Sequence, residues 1–210
     1  MILSSNQRSN NMLEQWILPV FNRANHHTTC GQCFIVGSYL ITAAHVIYKD
    51  DEYVDAYVVI ENNPIYLHRE QALLYELSHT IDENYHDYAV FALPEVSNSP
   101  LHLKSITDNR DCLTCFYQRC VKSGNGSIWN VPNFELMTSR TQFHTQYSDY
   151  LFDCEVNPML IKGDSGCPIV DKENNVVGML VAGDDKSICA FQSAAFIKNI
   201  INNYIEQHII

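Results

Sequence analysis

Apolar positions along this chain come in short runs, each rich in β-branched and aromatic residues. The runs are WILPVF (16–21), CFIVGSYLIT (33–42), YVDAYVVI (53–60) and YAVFAL (88–93). They stop over the polar stretch SNSPLHLKSITDNRD (97–111). They then resume as SIWNV (127–131), FELMTSRTQF (134–143), YLFDCEV (150–156), CPIV (167–170), NVVGMLVAG (175–183) and SICAFQS (187–193). Many short strands at close spacing predict an all-β sandwich or barrel. The polar stretch divides them into two sets of similar size, which predicts one lobe over residues 1–105 and a second over 106–210. No fixed-period repeat is present.

The last segment follows a different rhythm. In AAFIKNIINNYIEQH the apolar residues are Phe196, Ile197, Ile200, Ile201, Tyr204 and Ile205, a 3.6-residue period that predicts one amphipathic α-helix over about 194–208. REQALLYELSHT (69–80) reads as a second, short helix.

Composition adds bounds. With 210 residues, 46% of them hydrophobic and 18% charged, the chain can bury a sizeable core in one large domain or two packed lobes. Thirteen Lys and Arg against 24 Asp and Glu give a net charge of −11, which repels phosphate backbones and argues against a nucleic-acid partner. No apolar run is long enough to span a bilayer, so no membrane partner is expected. The start, MILSSNQRSNNMLEQW, lacks a basic segment followed by an apolar block. A cytoplasmic location is the expectation, or secretion if a leader has been removed. Eight cysteines lie at 30, 33, 112, 115, 120, 154, 167 and 189. Cys30, Cys33, Cys154 and Cys167 fall in or beside strand-like runs and read as small buried hydrophobes. Cys112, Cys115 and Cys120 sit in a more polar setting and are the better metal or disulfide candidates. Free thiols, with no metal and no cofactor, are the overall expectation.

Candidate chemistry concentrates in three places. LIKGDSGCPI (160–169) sets Ser165 in a tight, glycine-rich bend, as either an ordinary turn residue or a nucleophile. A nucleophile needs a base. Eight of the nine histidines stand in polar surroundings, whereas His45 in YLITAAHVI ends an apolar strand beside two alanines. The base needs an orienting acid. Asp87, in NYHDYAVFAL, opens a clean apolar strand, where a buried carboxylate requires a hydrogen-bonded partner.

Three blocks in this order, TAAH (42–45), DYAVFAL (87–93) and GDSG (163–166), resemble those around the catalytic residues of chymotrypsin/trypsin-like serine peptidases. The resemblance runs from the Trp16 strand to the terminal helix. It implies two six-stranded antiparallel β-barrels with a cleft between them, and a serine endopeptidase acting on protein or peptide substrates. Ser165 would be the nucleophile, His45 the base, Asp87 the orienting acid, and the Gly163 and Ser165 N–H groups the oxyanion hole. It further implies that Met159, six residues before Ser165, lies at the floor of the primary specificity pocket, with Leu160, Lys162 and Ala190 beside substrate. Val181 and Gly183 would bond the substrate backbone as an added strand. Because Met159 is not acidic, the expected preference is for an uncharged P1 residue.

The chain also departs from secreted animal members. Val46 and Ile161 stand where those carry half-cystines, so the usual disulfide framework is broken. In activated members the Asp before the nucleophile pairs with a newly cut N-terminal amine. Ile2 is a candidate for that terminus here, with Asp164 otherwise satisfied by backbone donors or a side chain. A catalytically inactive binding protein on the same fold and a cysteine-based metal module remain as alternatives. Oligomeric state is open.

Overall fold

The computed structural model describes residues 12–23, 25–49, 52–78, 85–93, 95, 97–106, 113–121, 133–183 and 187–208. The first sheet uses β1 (Ile17–Asn22), β2 (Asn25–Val36) and β3 (Tyr39–Thr42). A one-turn helix, α1 (Ala44–Ile47), and a small ladder of β4 (Tyr48–Lys49) with β5 (Glu52–Tyr53) follow. The sheet is completed by β6 (Ala56–Ile60), β7 (Asn63–Tyr66), β8 (Leu74–Leu77) and β9 (Asp87–Ala92), in the order β7-β6-β1-β2-β3-β9-β8. The second sheet contains β10 (His102–Leu103), β11 (Leu113–Val121), β12 (Asn133–Gln146), β13 (Leu151–Asn157), β14 (Pro168–Val170), β15 (Asn175–Gly183) and β16 (Ile188–Ser193). Its order is β10-β15-β14-β11-β12-β13-β16, and β15 also pairs with β16. That last pairing closes a six-stranded barrel, with β10 added as a parallel edge. The first sheet is a half-barrel: among the described residues no ladder joins β7 to β8. The expected division at 105/106 falls just behind the first strand of the second sheet.

Two apolar clusters hold this together. One fills the closed barrel with Tyr117, Phe152, Cys154, Ile169 and Phe191. The other is shared by both sheets: Ile17, Phe34, Ile41 and Val90 meet Val176 and Met179, and Ile197 and Ile201 close it from the terminal helix α2 (Ala194–His208). Each aliphatic side chain so buried contributes about 1.5–3 kcal/mol. The α2 stripe therefore fastens the chain's end across the boundary between the sheets. No helix among the described residues is long and apolar enough to cross a membrane.

Two expectations need correction. Residues 69–78 do not form the helix expected over 69–80: Arg69–Gln71 make a single 3₁₀ turn, and Leu74–Leu77 are strand β8. Leu74 and Leu77 fit either period over so short a run, and the open edge of β9 offered backbone partners from Leu74↔Val90 to Leu77↔Asp87. The second concerns 112–120. Residues 113–121 are a central strand, β11, buried on both faces, with Leu113, Cys115 and Tyr117 in the barrel and Phe116 in the shared core. Gln118 and Arg119 made it look polar, but both have internal partners. Cys115 and Cys120 lie on opposite faces, buried and exposed respectively, so they do not converge on one ligand. Cys112 and the run 127–131 lie outside the described residues.

Cys33, Cys154 and Cys167 are buried as expected, and burial pushes all three thiols well above their ordinary range. For the half-buried Cys30 burial raises the pKa to about 11. Thiolate is the reactive form. Iodoacetamide at pH 8 is therefore expected to label Cys120 in the folded protein and to reach Cys33, Cys154 and Cys167 only in urea. Peptide mass spectrometry reads the order, and native-state labelling of Cys154 at the rate of Cys120 contradicts it.

Candidate active site

Strand pairing brings His45 and Asp87 together. Thr42 on β3 is opposite Ala89 on β9, and the two strands are antiparallel. Three residues forward from Thr42 and two back from Ala89 lead to the same place. There α1 presents the His45 N–H to Asp87 Oδ1 at 3.0 Å, and His45 Nδ1 lies 2.5 Å from Asp87 Oδ2. Asp87 has no exposed surface, while the His45 side chain keeps 32% of its own. A carboxylate so buried needs several donors. Tyr85, two positions earlier on the same face, adds its hydroxyl to Oδ2 at 3.0 Å. Burial, followed by the neighbouring Asp87 charge, pushes the Tyr85 phenol far up, so it stays a donor. From the second sheet, Gln192 Oε1 accepts the Asp87 N–H at 3.0 Å, and its own amide donates to Tyr150 O.

The Ser165 bend is pressed against the first sheet. Gln32 N–H donates to Ser165 O at 2.7 Å. The next residue, Gly166, has φ +87°, and a Cβ there would lie 2.1 Å from Gln32 O and 2.8 Å from Thr42 Oγ1. Only glycine permits this approach, which sets Ser165 within a few residues of α1. Gly163 is also left-handed, at φ +100°, in a turn closed by Asp164 N–H to Ile161 O. Among the described residues neither the Gly163 nor the Ser165 N–H has an acceptor. No hydrogen bond joins Ser165 Oγ to His45 there either, and such contacts commonly tighten only around bound substrate.

Asp164 is buried, with 2% exposure, and its charge is matched. Arg119 on β11 reaches it in fork geometry, Nε to Oδ1 at 3.3 Å and NH2 to Oδ2 at 2.5 Å. Ile161 N–H adds a bond to Oδ2 at 2.8 Å. Burial alone disfavours the guanidinium charge, but the Asp164 carboxylate outweighs it and raises the Arg119 pKa. Asp164 is thus satisfied by a side chain with a backbone donor. Ile2 lies outside the described residues.

Beside Ser165 opens a cavity of about 400 Å³, lined by Met159, Leu160, Ile161, Lys162, Leu180, Ala182, Gly183 and Cys189. Met159, Leu160, Lys162 and Gly183 were anticipated there. Ala190 was too, but the cavity wall holds Cys189: adjacent strand residues face opposite ways, so Cys189 shares the barrel side with Phe191 while Ala190 packs against the shared core. The Val181 side chain lies in the shared core, with 3% exposure. The sequence reading missed Gln32, Tyr85, Arg119, Ile161, Cys189 and Gln192. Gln32 had a usable signal, a polar residue inside the apolar run CGQCFIV; Tyr85 had period-two spacing from Asp87.

The family model for trypsin matches residues 4–198. The chain belongs to the trypsin family. Solved structures agree with this on fold. The trypsin-like chain resembles mouse neuropsin, a serine protease, at 14% identity and TM-score 0.63, over 92% of this chain and 96% of that one. It resembles the active form of the Rv3671c protease of M. tuberculosis at 15% identity and TM-score 0.61, over 93% and 85%. Catalytically inactive tobacco etch virus protease, complexed with substrate, is similar at 16% identity and TM-score 0.61, over 90% and 85%. No curated protein matches the sequence.

Removing one partner of a buried ion pair strands the other charge. Arg119→Met in this peptidase is expected to lower the unfolding free energy by about 2–3 kcal/mol, below the range for fully buried pairs because Arg119 is partly exposed. Urea denaturation measures it. A change below about 0.5 kcal/mol would show that water, not Arg119, satisfies Asp164.

Proposed function

We propose that this peptidase is a serine endopeptidase that cleaves peptide bonds through an acyl-enzyme formed on Ser165. The observation that carries the reading is the buried Asp87 carboxylate bonded to His45 Nδ1, beside a Ser165 bend held against β2 and β3. The chemistry follows the family's well-established triad. With Nδ1 committed to Asp87, the other imidazole nitrogen is free to act as base. It takes the Ser165 proton as Oγ attacks the substrate carbonyl. The Gly163 and Ser165 N–H groups receive the developing oxyanion, and the imidazolium returns its proton to the leaving amine. Water, activated by the same imidazole, then releases the acyl group. The tobacco etch virus enzyme held with its substrate gives a precedent for peptide binding on this fold.

Cavity chemistry supports an uncharged, apolar P1 residue. Its walls include Met159, Leu160, Ile161, Leu180 and Ala182; Lys162 is the charged side chain beside them, and no acidic one lines the cavity among the described residues. A P1 cation would lose its water there without a partner. The edge of β15 at Val181–Gly183 would pair with the substrate backbone.

Ser165→Ala is expected to abolish labelling by a fluorophosphonate probe and to lower kcat by at least about 10⁴-fold, with an unchanged thermal melt. Wild-type protein that cleaves peptides yet resists the probe would rule out Ser165. On a peptide library the wild type should favour Leu, Met or Phe at P1, and Met159→Asp should shift preference toward Arg and Lys. A wild type already selective for Arg or Lys would overturn the pocket assignment.

A further inference from the structure

The proposed reaction makes Gly163 and Ser165 the oxyanion donors. Their N–H groups are useful only if the peptide planes around them are fixed, and Gly163, in a left-handed conformation, is the residue least able to fix its own. The question is what holds it. One residue touches both donors. Gln32 on β2 accounts for the carbonyl of each: its backbone N–H donates to Ser165 O at 2.7 Å, and its side-chain Nε2 donates to Gly163 O at 3.1 Å.

The Gly163 contact completes a two-sided grip. The peptide unit after Gly163 has its oxygen held by Gln32 and its N–H, that of Asp164, held by Ile161 O at 3.0 Å. That plane carries neither donor, since the Gly163 N–H belongs to the Lys162–Gly163 unit and the Ser165 N–H to the Asp164–Ser165 unit; it is the plane that links the two, and gripped at both ends it cannot rotate without breaking two hydrogen bonds. The Gln32 side chain is itself over-determined. It has no exposed surface, Nε2 also donates to Gln118 O at 3.0 Å, and Oε1 accepts the Gln118 N–H at 3.0 Å. It thus forms a two-point pair with the backbone of β11 and spends its remaining donor on Gly163. Nothing in the chemistry of packing requires a glutamine here. An apolar residue of the same volume would fill the space but leave the Gly163 carbonyl and the Gln118 backbone without partners.

We propose that Gln32 is a positioning residue for the oxyanion hole, acting through the carbonyl of Gly163 from the opposite lobe. It follows that docking of the two lobes and assembly of the oxyanion hole are one event, since Gln32 arrives on the first sheet and Gly163 on the second. This rests on the reading of Ser165 as nucleophile.

Gln118 supplies the control. Its side chain is buried to a similar degree and also crosses between the sheets, donating to Glu14 O and Ile17 O at 2.7 Å each, yet it does not touch the Ser165 bend. Gln32→Met and Gln118→Met are to be compared with wild type for thermal melting, kcat and KM on a peptide ester, and affinity for a peptide boronic acid. That inhibitor bonds to the nucleophile and sets an oxygen in the hole. The expectation is that both variants melt at lower temperature, but only Gln32→Met loses kcat, by roughly 10–100-fold with KM within about twofold. Its boronic-acid affinity should fall in proportion to kcat/KM. Should Gln32→Met fail to melt cooperatively, Gln32→Ala replaces it, removing the donor to Gly163 and leaving room for water at the Gln118 backbone. Equal kcat in wild type and the folded Gln32 variant, or an equal kcat loss in Gln118→Met, overturns the proposal while leaving Ser165 in its role. Wild-type protein that resists a fluorophosphonate probe while cleaving peptides overturns both.

Discussion

A carboxylate taken out of water must receive its hydrogen bonds from the protein, and the seam between the two sheets meets this demand twice. Asp87 is fully buried and is met by the His45 N–H, the His45 imidazole and the Tyr85 hydroxyl. Asp164 is nearly so and is met by the Arg119 fork and the Ile161 N–H. An unpaired charge at either place would cost several kcal/mol, comparable to the net stability of a domain. The partners are therefore not optional, and satisfying them dictates local structure. His45 must enter from a helical turn so that its backbone and ring reach one carboxyl together. Asp164 must sit in a turn tight enough to bring the Ile161 N–H back onto it. The bend that carries Ser165 is then bounded on one side by a matched charge and on the other by the Thr42–Ala43 backbone.

The parts of this arrangement legible in sequence were those with a local signature. β-Strand runs, the terminal helix and the three blocks around His45, Asp87 and Ser165 each carry their signal within about ten residues. So did Gly163, because a left-handed turn needs glycine. What was not legible was made by contacts across the chain. Arg119 and Asp164 are 45 residues apart, Gln32 and Gly163 131, and Asp87 and Gln192 105. The partner of a buried polar group has no period or spacing to betray it. The same reason explains β11: its glutamine and arginine made the stretch look polar because their internal acceptors lie in distant parts of the chain. Residues 69–80 failed differently, since a short run of leucines supports two periods, and only the vacant edge of β9 chose between them.

The cavity beside Ser165 illustrates a third limit. Met159 lines the cavity at its offset from Ser165, since only five residues intervene and their turns are tight. Cys189 and Ala190 lie much further along the chain, and a slip of one residue exchanges the faces of a strand. Such a slip leaves no mark in composition, so offset counting loses its footing over that distance.

Elsewhere the seam relies on neutral amides. Gln32, Gln118 and Gln192 each cross from one sheet to the other, and each is buried. A glutamine carries donor and acceptor on one rigid group, so it can satisfy a backbone carbonyl and a backbone N–H together without adding charge. Burying an amide whose hydrogen bonds are made is far less costly than burying an ion. An apolar seam would be as stable but less exacting, because apolar contacts tolerate sliding while a two-point amide pair does not. The two lobes must meet in one register, since His45 and Asp87 come from one and Ser165 from the other. Apolar burial in the shared core supplies the strength of that meeting, and the three glutamines supply its register. Asp87 and Asp164 put buried charge next to the residues that would do chemistry.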